Sequence, residues 1–210
     1  MKATASRALC VFSASSERID GRYLELAQEV GQQMAARGID LVSGGGNIST
    51  MGELARTVRA GGGHTTGVIP RALLAWEVAD RDADELLVTQ DMRERKGLMD
   101  SRSDGFLTLP GGIGTLEELL EAWVGRTLGM HRKPVVILDP WGDLAKLREL
   151  IDSMLASGLV RPSAAADAHW YSDPTEALDS IQRAWEAGEG RAAASIAQPS
   201  GHPEEWLEAD

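Results

Sequence analysis

Short apolar runs recur along the chain, and most are followed by a stretch whose apolar residues repeat at helical spacing. Ala8 to Ser13, Ile39 to Ser43, Thr66 to Ile69, Glu85 to Thr89, Gly105 to Leu109, Pro134 to Leu138 and His169 to Tyr171 have the length and content of buried strands. Between them lie expected helices over Gly21 to Arg37, Met51 to Ala60, Met92 to Ser101, Thr115 to Leu128, Asp143 to Ala156 and Thr175 to Ala187. The first shows the pattern plainly, with Leu24, Ala27, Val30 and Met34 along one side. Arg71 to Asp84 has no clear period.

Strands that alternate with helices predict an α/β fold, a doubly wound, Rossmann-like parallel sheet of about seven strands. Strands buried on both faces read as unbroken apolar runs, as Pro134 to Leu138 does. Ligands of such sheets bind beyond the C-terminal strand edge. The turns after the first, second and fifth strands fall at that edge, so together they predict one pocket. Residues 1–187 are expected to form a single nucleotide-binding domain. From Gly188 onward Gly, Ala, Ser and Pro dominate, with five acids against Arg191, so 188–210 is expected to be an acidic, disordered tail.

Composition narrows the partners. A formal net charge of −11 argues against a nucleic-acid partner, because phosphate backbones need basic surfaces. It leaves room for a small anionic ligand, for which one local basic cluster suffices. Cys10 is the single cysteine, so no disulfide forms within the chain, which fits a reducing cytoplasm. No apolar run reaches the length of a membrane span, and no secretion signal is visible. The four histidines lack ligand spacing, so no metal site is expected.

The segment richest in chemistry is Pro110-Gly111-Gly112-Ile113-Gly114-Thr115-Leu116-Glu117-Glu118, which joins a strand to a helix. Glycines at such a turn let backbone N–H groups approach an anion, and the helix start adds favourable partial charge. A dinucleotide fingerprint is not supported, because Glu117 stands where its third glycine belongs, and no GxxxxGK[ST] exists. From spacing alone, a phosphate cradle and a purely structural turn are equally good readings. Thr115 and Glu118 also have capping-box spacing, as do Thr50 and Glu53; taken alone, a capping role for Glu118 is favoured over a chemical one. Glu117 and Glu121 suit a solvated or interfacial face, and Leu116, Leu119, Leu120, Trp123 and Val124 form a core or subunit-contact stripe.

Met92-Arg93-Glu94-Arg95-Lys96 places three cations at a helix start, where the dipole disfavours them. Either a bound anion or a carboxylate compensates, or the run is a solvated basic face.

Taken together, these residues resemble a known family. PGGIGTLEE is similar to the PGGxGTxxE signature of the LOG proteins, cytokinin riboside 5′-monophosphate phosphoribohydrolases often labelled "lysine decarboxylase". MRERK resembles their MHxRK motif, Gly44-Gly45-Gly46 with Met51-Gly52 resembles their GGGxxGLMG stretch, and Ser13 to Ser16 their N-terminal turn. The resemblance runs from about Ala8 to Ala187. It implies that Arg95 and Glu118 are the catalytic pair. It implies nucleotide contacts from Gly45, Gly46, Glu77, Met92, Lys96, Gly111, Gly112, Ile113, Gly114, Thr115 and Glu117. Three departures bear on base selectivity: Arg93 replaces the family's His, Ser49-Thr50 replaces Gly-Leu, and Val124 stands where some members carry Thr.

The resemblance implies hydrolysis of the N-glycosidic bond of an adenosine 5′-monophosphate, plain or N6-substituted. The products would be a free base and ribose 5-phosphate. No cofactor is implied, and a homodimer is. The alternative is a nucleotide or cofactor carrier of the same architecture, without hydrolysis. A pyridoxal-phosphate decarboxylase fits poorly, since none of the four lysines has a convincing Schiff-base setting.

Overall fold

The computed structural model describes residues 6–16, 18–74 and 79–191. Its strands are β1 (Arg7–Phe12), β2 (Ile39–Ser43), β3 (Thr65–Pro70), β4 (Glu85–Thr89), β5 (Gly105–Thr108), β6 (Val135–Leu138) and β7 (Ala168–Tyr171). Its helices are α1 (Gly21–Ala36), α2 (Ser49–Ala60), α3 (Met92–Arg102), α4 (Ile113–Thr127), α5 (Ala145–Ala156), α6 (Pro162–Ala166) and α7 (Pro174–Glu186). All seven expected strands are present, each within a residue of its expected bounds. The short helix α6 and a 3-10 turn at Arg71–Leu73 escaped the sequence pattern, because each is too short to show a period.

The strands form one parallel sheet in the order β4-β3-β2-β1-β5-β6-β7. Winding reverses between β1 and β5, so the crevice lies beyond the ends of these two strands and β2 beside them. Side chains of β1 alternate between faces. Leu9 and Val11 join the core under α1, α2 and α7, whereas Ala8, Cys10 and Phe12 join the core under α3, α4 and α5. Burial and the negative charge of Glu118 push the Cys10 thiol up, which keeps it an unreactive core group.

The segment 79–84, obscure in sequence, returns to the crevice. Asp80 is buried, its N–H donates to Gly45 O, and its carboxylate takes both Arg59 terminal nitrogens at 2.7 and 3.1 Å. The chain after α7 also stays tied to the body. Glu189 receives Arg126, and Arg191 donates to Asp104. Residues 192–210 of the expected tail lie outside the described residues.

Candidate active site

The basic run at the start of α3 is resolved by the geometry into separate jobs. Asp91 caps the helix by accepting N–H bonds from Arg93 and Glu94, both at 2.9 Å. Glu94 lies in the first turn. Arg93 is exposed, Arg95 points inward and Lys96 points to α4. Arg95 and Lys96 are therefore compensated by the protein's own carboxylates, whereas Arg93 is a solvated cation.

Arg95 is only 5% exposed. Its Nε donates to Val68 O and its Nη2 to Gly44 O, each at 3.0 Å. Strand β3 and the turn that follows β2 are thereby stitched to α3. The remaining nitrogen, Nη1, lies 3.9 Å from Glu118 Oε1 and 3.7 Å from Met92 Sδ.

Glu118 is not a helix cap. The residue at the N-cap of α4 is Gly112, no side chain caps the helix, and Glu118 is the sixth helical residue. The glycines let the helix begin three residues earlier than the capping pattern predicts, with Gly112 rather than Thr115 at the N-cap. Thr115 is then free for another bond, and its Oγ1 donates to Ser13 O at 3.1 Å. The same shift removes the second expected capping box. α2 begins at Ser49, Thr50 Oγ1 donates to Ala14 O, and Glu53 accepts from Gln28 and Arg56. Glu118, 9% exposed, instead sits inside the fold beside the Arg95 guanidinium.

The glycine turns differ in what they offer. At the triple glycine, the Gly45 N–H bonds Ser43 Oγ at 3.3 Å, the Gly46 N–H meets Met51 Sδ at 3.2 Å, and Gly44 O and Gly45 O accept from Arg95 and Asp80. These groups are engaged within the protein, so this turn shapes the site and seats Arg95. A side chain at Gly44 would occupy the space of the Arg95 guanidinium. The turn before α4 is open instead. Gly112, Ile113 and Gly114 are exposed at an uncapped helix start, where the first N–H groups have no intrahelical partner. Gly111 is tucked against Thr115, and a Cβ there would collide with the threonine hydroxyl.

Next to Glu118 a cavity of about 370 Å³ opens between α3 and α4. Phe12, Phe106, Met99 and Val124 give it apolar walls, with Lys96, Glu121 and His131 on its border. Lys96 Nζ bridges Glu117 and Glu121, each at 2.5 Å, and these two acids hold the ammonium in its charged form. Met92 is partly exposed and touches Arg95 through sulfur. His131 is held neutral: burial lowers its pKa, Nε2 faces Ala122 O at 2.9 Å, and Nδ1 accepts the Lys133 N–H at 3.2 Å. Glu77 lies outside the described residues.

The structure thus brings together Arg95, Glu118, Met92, Lys96, Glu117 and the turn 111–115. The aromatic walls Phe12 and Phe106 were missed in sequence, because a buried strand residue looks the same whether it lines a core or a cavity. Among the described residues no group of three or more His, Cys, Asp or Glu could hold a metal ion, and no helix is long and apolar enough to cross a membrane.

Comparisons with known proteins show the family and the fold. A family model described as "Possible lysine decarboxylase" matches residues 51–181. The cytokinin riboside 5′-monophosphate phosphoribohydrolase of Mycobacterium tuberculosis is 54% identical over 141 residues, covering 67% of this chain and 75% of that protein. The cytokinin riboside 5′-monophosphate phosphoribohydrolase LOG3 of Arabidopsis thaliana is 40% identical over 164 residues, covering 78% and 76%. Among solved structures, the molybdenum cofactor carrier protein of Chlamydomonas reinhardtii superposes with a TM-score of 0.66 at 22% identity, covering 86% of this chain and 99% of that one. That likeness is one of fold.

Proposed function

The chain belongs to the family of the cytokinin riboside 5′-monophosphate phosphoribohydrolases, and from that premise we propose that it hydrolyses the N-glycosidic bond of adenosine 5′-monophosphates. The observation that carries the reading is the buried carboxylate of Glu118 beside Arg95, one helix turn and a half from an uncapped, glycine-lined helix start. Five residues of helix separate Ile113 from Glu118, a rise of about 7.5 Å. A ribose 5-phosphate bridges such a span. Its phosphate would meet the N–H groups at 112–115, and C1′ would lie over the carboxylate. The adjoining apolar cavity would take the purine.

In this reading the C1′–N9 bond breaks with its electron pair going to the purine, and positive charge builds on the ribose. Glu118 stabilises that charge and accepts a proton from the attacking water, whose oxygen bonds C1′. The departing purine then takes up the proton that Glu118 received, passed on through solvent, so it leaves as the neutral free base and Glu118 is ionised again. Arginine stays charged in proteins, so Arg95 does not act as a base. Two of its nitrogens are spent on Val68 O and Gly44 O, which leaves Nη1 to position Glu118 and face the substrate. Lys96, Met92 and Glu117 border the nucleotide, and Glu77 is proposed as a further contact from the family resemblance. No cofactor takes part, since water is the co-substrate.

Phosphate binding at a remote helix start orients the sugar for reaction. Adenosine should therefore react at least about 100-fold more slowly than AMP in kcat/KM. Chromatographic detection of adenine from each substrate checks this, and equal turnover of the two would exclude a phosphate-anchored site. Adding N6-isopentenyl-AMP to the same panel ranks plain against substituted bases, with Val124 at the cavity wall as the residue to vary.

We also propose that the enzyme acts as a homodimer. Ile113, Leu120 and Val124 on α4 and Leu128 at its C-cap follow one another at helical spacing and are exposed, as is Met130 just beyond. A second copy covering this stripe would also close the mouth of the cavity. Light scattering should give twice the 22.5 kDa of the chain, and Leu128→Glu should yield monomers. A wild-type monomer at micromolar concentration would refute the assignment. A reducing, cytoplasmic setting fits the lone buried cysteine.

A further inference from the structure

Two helices begin against one turn of the chain, and two buried hydroxyls at that turn and at the start of α2 have no hydrogen-bond partner among the described residues. The Thr115 hydroxyl of α4 donates to Ser13 O at 3.1 Å. From α2, the Thr50 hydroxyl donates to the next carbonyl, Ala14 O, at 3.0 Å, and the Met51 N–H reaches the same oxygen at 3.3 Å. The starts of a 15-residue and a 12-residue helix therefore flank Ser13-Ala14. Neither has a side-chain cap.

Ser13 is 5% exposed, and its Oγ is buried with no hydrogen-bond partner among the described residues. The Oγ of Ser49, the first residue of α2, is in the same condition. Native proteins seldom leave buried hydroxyls unpaired, and an orphan of this kind calls for an acceptor from elsewhere. Ser49 also has φ 57°, the one non-glycine residue with positive φ among the described residues. That conformation disfavours any L side chain, and serine gains nothing there from a bond within the protein.

We propose that the Ser49 hydroxyl, with that of Ser13, donates to the 5′-phosphate of the substrate, so that the phosphate is held between two helix starts. An ionised phosphate monoester offers acceptor oxygens, and the two carbonyls of the locus, Ser13 O and Ala14 O, are already engaged, which leaves hydroxyls and first-turn N–H groups at the positive ends of two dipoles as donors. Strain at Ser49 is the structural cost of a donor that glycine cannot supply. The assignment of substrate rests on the hydrolase reading above; the assignment of an anion to these hydroxyls does not.

Ser49→Gly tests it, because glycine removes both hydroxyl and strain. The variant should melt higher than wild type, while its affinity for ribose 5-phosphate by calorimetry falls about tenfold. Its KM for AMP should rise by a similar factor, with a smaller change in kcat. Ser49→Ala should lose the same affinity without the gain in melting temperature. Unchanged ribose 5-phosphate affinity in both variants, with AMP still hydrolysed, would overturn the proposal and leave the hydrolase reading intact. Ser49-dependent binding of ribose 5-phosphate without any release of adenine would support the anion site and sink the hydrolase reading instead.

Discussion

Glu118→Gln is expected to cut kcat for AMP by about 10³-fold or more while the protein remains folded. Glutamine has nearly the same volume and keeps a carbonyl oxygen, so the packing at this buried position survives. It cannot take a proton from water, and its neutral amide stabilises an oxocarbenium-like sugar far less than a carboxylate. The structural effect should be small for a specific reason. Glu118 is the sixth residue of α4, well past its N-cap at Gly112, and Arg95 retains its two carbonyl partners when the 3.9 Å ion pair is lost. A destabilisation of about 1–2 kcal/mol is expected, seen as a fall of several degrees in the melting temperature. Adenine release and a thermal melt on the same preparation decide the matter. Activity within tenfold of wild type would reduce Glu118 to a buried structural acid.

Arg95→Ala should damage both activity and stability. The substitution orphans Val68 O and Gly44 O, which accept from the guanidinium in a buried setting. It also leaves the Glu118 carboxylate without its cation and opens a void between α3 and the ends of β2 and β3. Breaking a buried pair and its hydrogen bonds costs about 3–5 kcal/mol. Unfolding by urea should show that loss, and hydrolysis should fall below detection. Arg95→Lys separates the two effects. Lysine keeps a positive charge near Glu118 but cannot reproduce the planar fork that reaches two carbonyls at once. Stability should lie between those of wild type and the alanine variant, and kcat should drop about 100-fold. Full activity in the lysine variant would show that charge alone suffices and that the fork matters only for folding.

The fold was largely legible because buried parallel strands leave an unmistakable mark. Runs such as Val135 to Leu138 are apolar at every position, and the helices between them carry one apolar side each. Periodicity placed both catalytic candidates on helices, Glu118 directly after a Gly-rich turn. For Glu118 it favoured the wrong role, since the spacing of Thr115 and Glu118 fits a capping box. The choice was made by where α4 begins. With Gly112 at the N-cap, Thr115 turns to Ser13 and Glu118 turns inward to Arg95.

The basic run of α3 shows the same limit. Sequence spacing makes Arg93, Arg95 and Lys96 one cluster, whereas the helix sends them to solvent, to the core and to Glu117 with Glu121. The resemblance implied nucleotide contacts from Gly45 and Gly46, whose N–H groups are engaged within the chain.

What the sequence determined on its own is therefore the alternation of strands and helices, the edge of the sheet where chemistry collects, and the residue types present there. Local periodicity and turn chemistry carry that information within a few residues. Which carboxylate meets which guanidinium, which glycine turn stays open, and which hydroxyls are left without partners were decided by the tertiary structure alone. Those facts depend on contacts between residues such as Thr115 and Ser13, or Arg95 and Val68, that stand far apart in the chain. Only the packing of α2, α3 and α4 over β1, β2 and β5 brings them within bonding distance.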